Sequence, residues 1–410
     1  MSYLRRINLF TILVAILTFV LGWQLGHRDV VLKWQQYKPT VKIENKEPPK
    51  NVGIDFKLFW DTWDLLSREY LDKKAVDPEK MFYGAISGMV AAIGDPYTVF
   101  LPPDSQKVSK EELNGSFEGV GIQLGFNKEK RLVVVAPLEG TPAEKAGIKP
   151  EDMIIKIDDK EAQGFTLPEA VKLIRGPKES QVKLTIFREG EEDTREFTLT
   201  RDTIIVKSVT LKSEKTKSGK VVSIIKLSRF GERTQEEWNE IVSQVLASGP
   251  QALVLDVRNN PGGFLEGATF IASEFLPEGE VVVIQEGTKG GKVSYKVSRI
   301  GKLTKLPMVV LINKGSASAS EIVGGALKDH NRAKLLGEKS FGKGTIQEAE
   351  ELPGGSGIHI TTAKWLTPKS TWVNETDGLE PDIKVESEKA GDEGDDKKDA
   401  QLEKALEVLD

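Results

Sequence analysis

The sequence predicts a layered α/β domain that follows a small β-rich domain, a short helical unit and a single apolar N-terminal helix. Three observations carry that expectation. Strand and helix signals alternate from Thr203 to about Val385, glycine-punctuated strands crowd residues 105 to 200, and an uncharged run fills Ile7 to Leu25. A chain of 410 residues with 39% hydrophobic content can bury more than one core, so two or three folded units are expected.

The apolar run has about the length of a bilayer-spanning helix and follows Arg5 and Arg6. A cleaved signal peptide is the alternative, but Gly22-Trp23-Gln24-Leu25-Gly26 offers no convincing small-x-small cleavage site. Residues 1–28 are therefore expected to be an uncleaved single-pass anchor in the plasma membrane. Arg28, Lys33, Lys38 and Lys42 outnumber the arginines ahead of the run, so the positive-inside count leaves topology open. A short tail before a large body is the arrangement of a signal anchor, which puts the bulk of the chain outside the cytoplasm, in a periplasmic or extracellular space.

Residues 29–52 are polar, lysine-rich and contain Pro39, Pro48 and Pro49, the composition of a linker or stalk. In residues 53–103, Phe56, Phe59, Trp60, Trp63 and Leu66 recur at helical spacing, and Phe82, Ile86, Met89 and Ile93 repeat the pattern. A two-helix unit is expected there, its aromatic stripe serving as core rather than as a binding face.

Residues 104–200 form the β-rich domain. Gly119-Val120-Gly121-Ile122-Gln123-Leu124-Gly125 opens an alternating strand, with Arg131 to Val135 as its hairpin partner. Thr141 to Gly147 is a short helix with proline at its start and glycine at its end. A strand from Met153 to Ile157, a helix from Leu167 to Ile174 and a strand from Gln181 to Phe187 complete the unit. This order resembles a PDZ domain. The glycines either merely turn the chain or present backbone N–H groups to a carboxylate while the adjoining strand edge pairs with an extended peptide. In the second reading Gly119, Val120, Gly121 and Ile122 capture a C-terminus, and Val120, Ile122 and Leu124 line an apolar pocket for its last side chain. Arg175 closes the flanking helix, either as a solvated cap or as a regulatory group that reports peptide occupancy.

Residues 201–385 alternate strand and helix: a strand from Val222 to Leu227, a helix from Thr234 to Ala247 opened by a capping box ending in Glu237, and a buried strand from Ala252 to Val257. A helix from Leu265 to Phe275, a strand from Val281 to Ile284, a buried strand from Met308 to Ile312 and a helix from Ser318 to about Asp329 follow. Residues 386–410 are a charged tail whose end, with Leu402, Ala405, Leu406 and Leu409, suits an amphipathic helix for docking or homodimer formation.

Several chemistries are disfavoured by composition. There is no cysteine, which removes disulfides, thiol nucleophiles and Cys-based zinc sites. The three histidines, His27, His330 and His359, lack metal-binding spacing, and a net charge of -5 without a basic stripe argues against nucleic acid. A zinc hydrolase is therefore not expected.

The segment Gly315-Ser316-Ala317-Ser318-Ala319-Ser320-Glu321 sets serines where a buried strand turns into a helix, a place that favours a developing oxyanion. Ser318 with Glu321 also fits a plain capping box. A nucleophile needs a base, and His330 lies at the far end of the helix that Ser318 begins. Lys343, between Gly342 and Gly344, is the alternative, although a glycine-flanked lysine also suits a solvated turn. If the segment is extended, Gln347 shares its side and can hold its nitrogen. A neutral amine at pH 7 requires a pKa about 3 units below the model value, which burial can supply if no carboxylate pairs with it. Asp256-Val257-Arg258-Asn259-Asn260-Pro261-Gly262-Gly263 offers the N–H of Gly262 or Gly263, with that of Ala319, as an oxyanion hole.

With these residues assembled, the sequence from about Asp55 to Val385 resembles the carboxyl-terminal processing peptidases, or tail-specific proteases. The resemblance rests on Gly94 to Leu101, Asp256 to Gly263, Gly315 to Glu321, Phe341 to Gln347 and Gly378 to Ile383. It implies a crotonase-like (ClpP/crotonase) α/β core with an inserted PDZ domain and a serine endopeptidase that uses Ser318 as nucleophile, Lys343 as base and Gln347 to orient it. It further implies no metal or cofactor, protein or peptide substrates with apolar C-termini, and a PDZ domain able to gate activity. Asp329 occupies a family-typical acidic position on nearly the same helix face as Ser318 but about three turns away, so a structural rather than proton-transferring role is expected of it. A catalytically silent PDZ scaffold and an acyl-CoA enzyme of crotonase type are the competing readings. The first would lack some motif residue, and the second would need neither the PDZ-like domain nor the anchor.

Overall fold

The computed structural model describes residues 18–19, 29–35, 38–44, 53–288, 290–386 and 399–410. The expected anchor, Ile7 to Leu25, lies outside the described residues apart from 18 and 19, as do residues 387–398 of the charged tail. No helix among the described residues is long and apolar enough to cross a membrane. The chain divides into two compact units, Met1–Met81 and Phe82–Asp410.

In the first unit, Asp29–Gln35 (β1) and Lys38–Glu44 (β2) pair antiparallel within the stretch expected to be a linker. Val30, Val31, Thr40, Val41 and Ile43 favour extended backbone, a preference that the lysines and prolines obscure. The helix Lys57–Glu69 (α1) carries the aromatic stripe, but none of its residues is buried. Trp60 is 57% exposed, and Phe59, Trp60 and Trp63 pack only ring against ring, with centroids 5.0 to 6.1 Å apart. The stripe is thus a surface within its unit, where a core was expected. A second helix, Pro78–Ala91 (α2), follows, and the division between the units falls inside it.

After a short strand Val99–Leu101 (β3) and the helix Pro103–Asn114 (α3), the β-rich domain begins. Its strands are Ser116–Gly119 (β4), Ile122–Phe126 (β5), Leu132–Pro137 (β6), Met153–Ile157 (β7), Lys160–Glu161 (β8), Gln181–Phe187 (β9), Arg195–Thr200 (β10) and Asp202–Ile205 (β11). The helices Pro142–Lys145 (α4) and Leu167–Ile174 (α5) lie among them. The main sheet runs β10-β9-β7-β6-β5, so β5 keeps one edge open among the described residues, while β4 pairs with β11. Val120, Leu132, Val134, Ile157, Ala170, Leu184 and Ile186 form its core. Three elements fall where periodicity set them to the residue: β7, α5 and β9.

The rest of the chain is the layered α/β core. Val209–Lys215 (β12), Val221–Leu227 (β13), the helix Thr234–Ser248 (α6), Ala252–Asp256 (β14), the helix Leu265–Ala272 (α7), Val281–Gly287 (β15), Lys292–Lys296 (β16), Met308–Ile312 (β17) and the helix Ala319–Asp329 (α8) come first. Lys334–Gly337 (β18), Thr345–Glu351 (β19), Gly357–Leu366 (β20), Ile383–Lys384 (β21) and the helix Ala400–Leu409 (α9) complete it. The central sheet, β12-β13-β14-β17-β18-β21, is parallel except for β12. A second sheet, β16-β15-β20-β19 with β3 on β20, stands beside it.

Strand alternation sorts the central sheet's side chains onto two faces. Leu253, Leu255, Val310, Ile312 and Leu335 pack with Trp238 of α6, Ile271 of α7 and Val323 of α8. Val254, Val309, Leu311 and Leu336 pack with Leu402, Ala405, Leu406 and Leu409 of α9. The apolar face expected to serve docking or dimerisation therefore docks on the chain's own sheet. The capping box expected at the start of α6 is absent as such. Thr234 lies inside the helix, and Glu237 accepts the N–H groups of Ser208 and Val209 instead, at 2.7 and 3.2 Å.

Candidate active site

Every buried strand of the central sheet ends in a turn that contributes to one cluster. After β17, Asn313 to Ser318 curls back toward the turn that follows β14. Ser316 and Ser320, both fully buried, donate their hydroxyls to Val257 O at 2.8 Å and Asn260 O at 2.9 Å. They are structural ties between the two turns. Ser318 between them is half-buried and stands at the cap of α8 with φ 51 and ψ -114, a conformation that a non-glycine residue holds only under constraint.

The glycine turn after β14 abuts it. A Cβ on Gly262, whose φ is 105, would sit 2.8 Å from Ser318 Cβ and 3.0 Å from Ala319 N. Its N–H donates to Asn260 Oδ1 at 2.9 Å, and Asn260, fully buried, anchors through Nδ2 on Leu227 O at 2.8 Å. That removes Gly262 from the two oxyanion donors considered above. The N–H of Gly263 and that of Ala319 have no acceptor among the described residues, and Ala319 begins a helix whose dipole favours an anion.

Lys343 lies in the turn before β19, where its neighbours fix the backbone rather than the amine. Trp365 Nε1 donates to Lys343 O at 2.9 Å and Trp372 Nε1 to Gly344 O at 2.8 Å, while Asn374 accepts the Gly344 N–H. The amine stands 5.0 Å from the centre of the Tyr97 ring, and no carboxylate pairs with it among the described residues. Burial pushes its pKa below the usual lysine value, against the opposing pull of Asp95 and Glu321. Burial and then the Lys343 charge likewise lower the pKa of His359 on β20. His330 is remote from this cluster, its Nε2 2.8 Å from Val281 O.

Glu321 joins the two turns. It is 1% exposed and accepts the N–H of Ser318 at 2.8 Å and that of Lys343 at 2.9 Å on one oxygen. The structure thus brings Ser318 and Lys343 together through one carboxylate, with no hydrogen bond between Ser318 Oγ and Lys343 Nζ. Gln347 is not on the lysine either. Its Nε2 donates to Thr345 and Thr361 hydroxyls at 2.8 and 3.0 Å, because Lys343 precedes the strand and a register shift separates Ile346 from Gln347. Asp329 accepts the Lys369 N–H at 2.8 Å, a structural bond.

The turn Gly94-Asp95-Pro96-Tyr97-Thr98, which carries no catalytic signal of its own, walls the site beside Lys343. Asp95 accepts Thr98 Oγ1 at 2.7 Å and the Tyr97 N–H at 3.1 Å. Burial would raise its pKa, but the hydrogen bonds from Thr361, Thr98 and Tyr97 prevail and lower it. The proline-bounded turn signal was visible; nothing in it showed which pocket it faces.

In the β-rich domain the glycine loop has its carbonyls occupied and its N–H groups open. Val120 O accepts from Ala143 at 3.0 Å and Gly121 O from Leu138 at 2.8 Å, whereas the N–H groups of Val120 and Gly121 have no acceptor among the described residues. Gly119 ends β4 in register with Asp202. Ile122 and Leu124 are half-buried beside the core, with Leu167 and Leu173 of α5, but Val120 is fully buried and belongs to the core, not to a pocket wall. Arg175 is the C-cap of α5, as expected, but its side chain is not merely solvated: it pairs with Glu111 of α3 at 2.9 Å and lies 4.2 Å over the Phe117 ring.

Residues 221–385 match peptidase family S41, residues 133–188 a PDZ domain, and residues 21–105 the N-terminal domain of the activating protease CtpB. The chain is 37% identical over 324 residues to the carboxy-terminal processing protease CtpA of Bacillus subtilis, covering 79% of this chain and 67% of that one. It is 38% identical over 347 residues to the carboxyl-terminal-processing protease of Synechocystis, covering 80% of this chain and 81% of that one. It spans about two thirds of the length of the two Bacillus relatives. A solved Bacteroides fragilis structure assigned to the S41 proteases shares the fold at 15% identity and a TM-score of 0.51, covering 83% of this chain and 92% of that one. With the PDZ match preceding the peptidase match and two relatives of shared activity, the chain belongs to the carboxyl-terminal processing serine proteases of peptidase family S41.

Proposed function

We propose that Ser318 is the nucleophile and Lys343 the base of this peptidase. The observation that carries the reading is the half-buried, carboxylate-free amine of Lys343, held with the strained Ser318 turn by the shared Glu321. The neutral amine takes the Ser318 hydroxyl proton as Oγ bonds to the scissile carbonyl carbon. The oxyanion settles on the N–H groups of Gly263 and Ala319. When the C–N bond breaks, the ammonium returns the proton to the leaving amine, and water then releases the acyl group by the same route. Hydrogen bonds in such sites tighten on substrate binding, and Gln347, freed from Thr345 and Thr361, then orients the amine.

Substrate tails add to the open edge of β5, with the terminal carboxylate on the N–H groups of Val120 and Gly121 and the last side chain against Ile122 and Leu124. Arg175, between the tail-binding helix and α3, is the group suited to report occupancy. Residues 7–25 anchor the chain in the plasma membrane with the catalytic body extracytoplasmic, and a second copy covers the exposed aromatic face of α1 as a homodimer.

Cleavage of an unstructured protein by the parent, by Ser318→Ala and by Lys343→Ala tests the chemistry. Loss of cleavage in both variants is expected, and cleavage by Ser318→Ala at the parental rate refutes the assignment. Protease protection of the body in sealed cells tests the topology, and the sedimentation mass of the parent against Trp60→Glu tests the homodimer.

A further inference from the structure

Glu321 takes no part in the bond-making steps above, yet its carboxylate is where the two halves of the site meet. Oε1 accepts the Ser340 hydroxyl at 2.6 Å and the Gly342 N–H at 2.7 Å, and Oε2 accepts the N–H groups of Ser318 and Lys343 at 2.8 and 2.9 Å. We propose that Glu321 is the positioning residue of the site: its ionised carboxylate fixes the nucleophile turn against the lysine turn. The inference deepens the Ser318/Lys343 reading and rests on it.

Burial raises the Glu321 pKa above the usual carboxylate value, against the pull of its hydrogen bonds from Ser340, Gly342, Ser318 and Lys343; four donors converging on two oxygens are nonetheless satisfied only by an acceptor-only, ionised group. A glutamine would turn its NH2 toward two of those donors. An aspartate, one methylene shorter, keeps the charge but cannot span from the first turn of α8 to both turns. Gly342, at φ 91, leaves its N–H aimed at Glu321 because its own α-carbon packs on the Asp377-Gly378 backbone, where a Cβ would come within 2.9 Å of Gly378 N. Ser340 is held from the other side, its Oγ accepting the Leu379 N–H at 2.6 Å. The lysine turn therefore has its donors preset toward α8, and Glu321 is the only carboxylate they reach among the described residues.

The charges that face the Lys343 amine are few. Asp95 approaches from the turn before β3 and Glu321 from α8, and both pull its pKa up against the burial that lowers it. Tyr97 lies beneath it, its own pKa raised by burial and then by Glu321 and Asp95. His359 faces it from β20, its pKa lowered by burial and by the lysine. Removal of the Glu321 charge leaves Asp95 as the one anion favouring the ammonium, so the neutral amine persists to lower pH.

The test compares full-length parent, Glu321→Gln, Glu321→Asp and Ser340→Ala, with Ser318→Ala alongside, by kcat and KM for an unstructured protein across pH. Glu321→Gln is expected to lose about 100-fold in kcat at little-changed KM, as for a misplaced reacting group, with the acid limb of kcat/KM displaced to lower pH. Glu321→Asp is expected to lose kcat while its acid limb stays with the parent's. A parental kcat or an unmoved acid limb in Glu321→Gln overturns the proposal. Should near-UV circular dichroism show that variant unfolded, Ser340→Ala decides: a roughly tenfold lower kcat at unchanged KM supports the proposal, and a parental kcat overturns it. Residual turnover in Ser318→Ala would instead overturn the underlying reading, whereas an inert Ser318→Ala beside a parental Glu321→Gln overturns the positioning role alone.

Discussion

The guanidinium of Arg258 grips the carboxylate of Asp399 through two parallel hydrogen bonds of 2.8 and 2.7 Å, joining the turn that carries Gly262 and Gly263 to the cap of the C-terminal helix. The same guanidinium holds Asp256, at the end of β14, at 2.9 and 2.7 Å. Burial would lower the pKa of Arg258, but the two carboxylates outweigh it and keep the group charged.

Arg258→Ala leaves Asp256 buried without its partner, and breaking such a pair costs about 3–5 kcal/mol. A lower unfolding midpoint and roughly 100-fold weaker kcat are expected, the latter because Asn260 and Gly262 shift with the turn. Arg258→Lys should recover little, since a point charge cannot serve two carboxylates bidentately. Denaturant unfolding and initial rates check both.

Strong acid should loosen the C-terminal helix. Burial would raise the pKa of Asp399, but Arg258 and the Leu402 N–H bring it below 3.8. A carboxylate with a depressed folded pKa contributes stability above its unfolded value and loses it as pH falls through the folded one. Protection of residues 400–410 against hydrogen exchange, relative to the unfolded chain at the same pH, should therefore fall as the pH drops through that depressed value and persist above it. Equal protection on both sides would contradict this.

Lys343→Met should abolish turnover and raise the unfolding midpoint together. Loss of a proton-transferring base costs about 100- to 10,000-fold. The folded pKa is depressed, so between that value and the unfolded one the folded chain binds fewer protons than the unfolded chain, and the stability lost as pH falls through this window stays lost below it. Replacing it with an apolar side chain removes that cost, an effect visible by calorimetry at neutral pH.

Gly262→Ala places a methyl 2.8 Å from Ser318 Cβ at a φ of 105, so both the oxyanion site and the nucleophile must move. A kcat loss of about 100- to 1,000-fold is expected, the size seen for a lost oxyanion donor. Burst kinetics with an ester substrate would show whether acylation is the step affected.

For the tail-binding loop, Gly121→Ala would drive a methyl into the Thr141 side chain at a φ of 77. Weaker binding of free-acid peptides is expected, by about tenfold or more, with short-ester hydrolysis retained. Amidation of the peptide terminus should weaken binding to the parent in the same way, which isothermal titration can measure.

Periodicity alone located β7, α5, β9 and β17 because each is a short apolar run bounded by glycine or proline. The candidate nucleophile and base stand out only in company: alone, Ser318 reads as a helix cap and Lys343 as a solvated turn residue, and it is the joint occurrence of their motifs with Asp256 to Gly263 that singles them out. The Glu321 bridge was not legible, since a glutamate three residues into a helix has the same local signature whether it caps its own helix or spans two loops. Nor could a sequence tell that Val120 is fully buried while Ile122 and Leu124 are half-buried, because Gly121, at a φ of 77, interrupts the extended chain between Val120 and the strand that starts at Ile122. The exposed stripe of α1 fails the amphipathic rule for a related reason: spacing shows that a face is apolar, not what covers it.

Acylation of Ser318 with help from an uncharged lysine can be caught by mass spectrometry of enzyme quenched during turnover of a slow ester. The acyl mass is expected on the peptide containing Ser318, accumulating faster as pH rises through the depressed lysine pKa and failing to accumulate in Lys343→Ala. An adduct on Ser316, Ser320 or any other residue, or equal accumulation without the lysine, would contradict it.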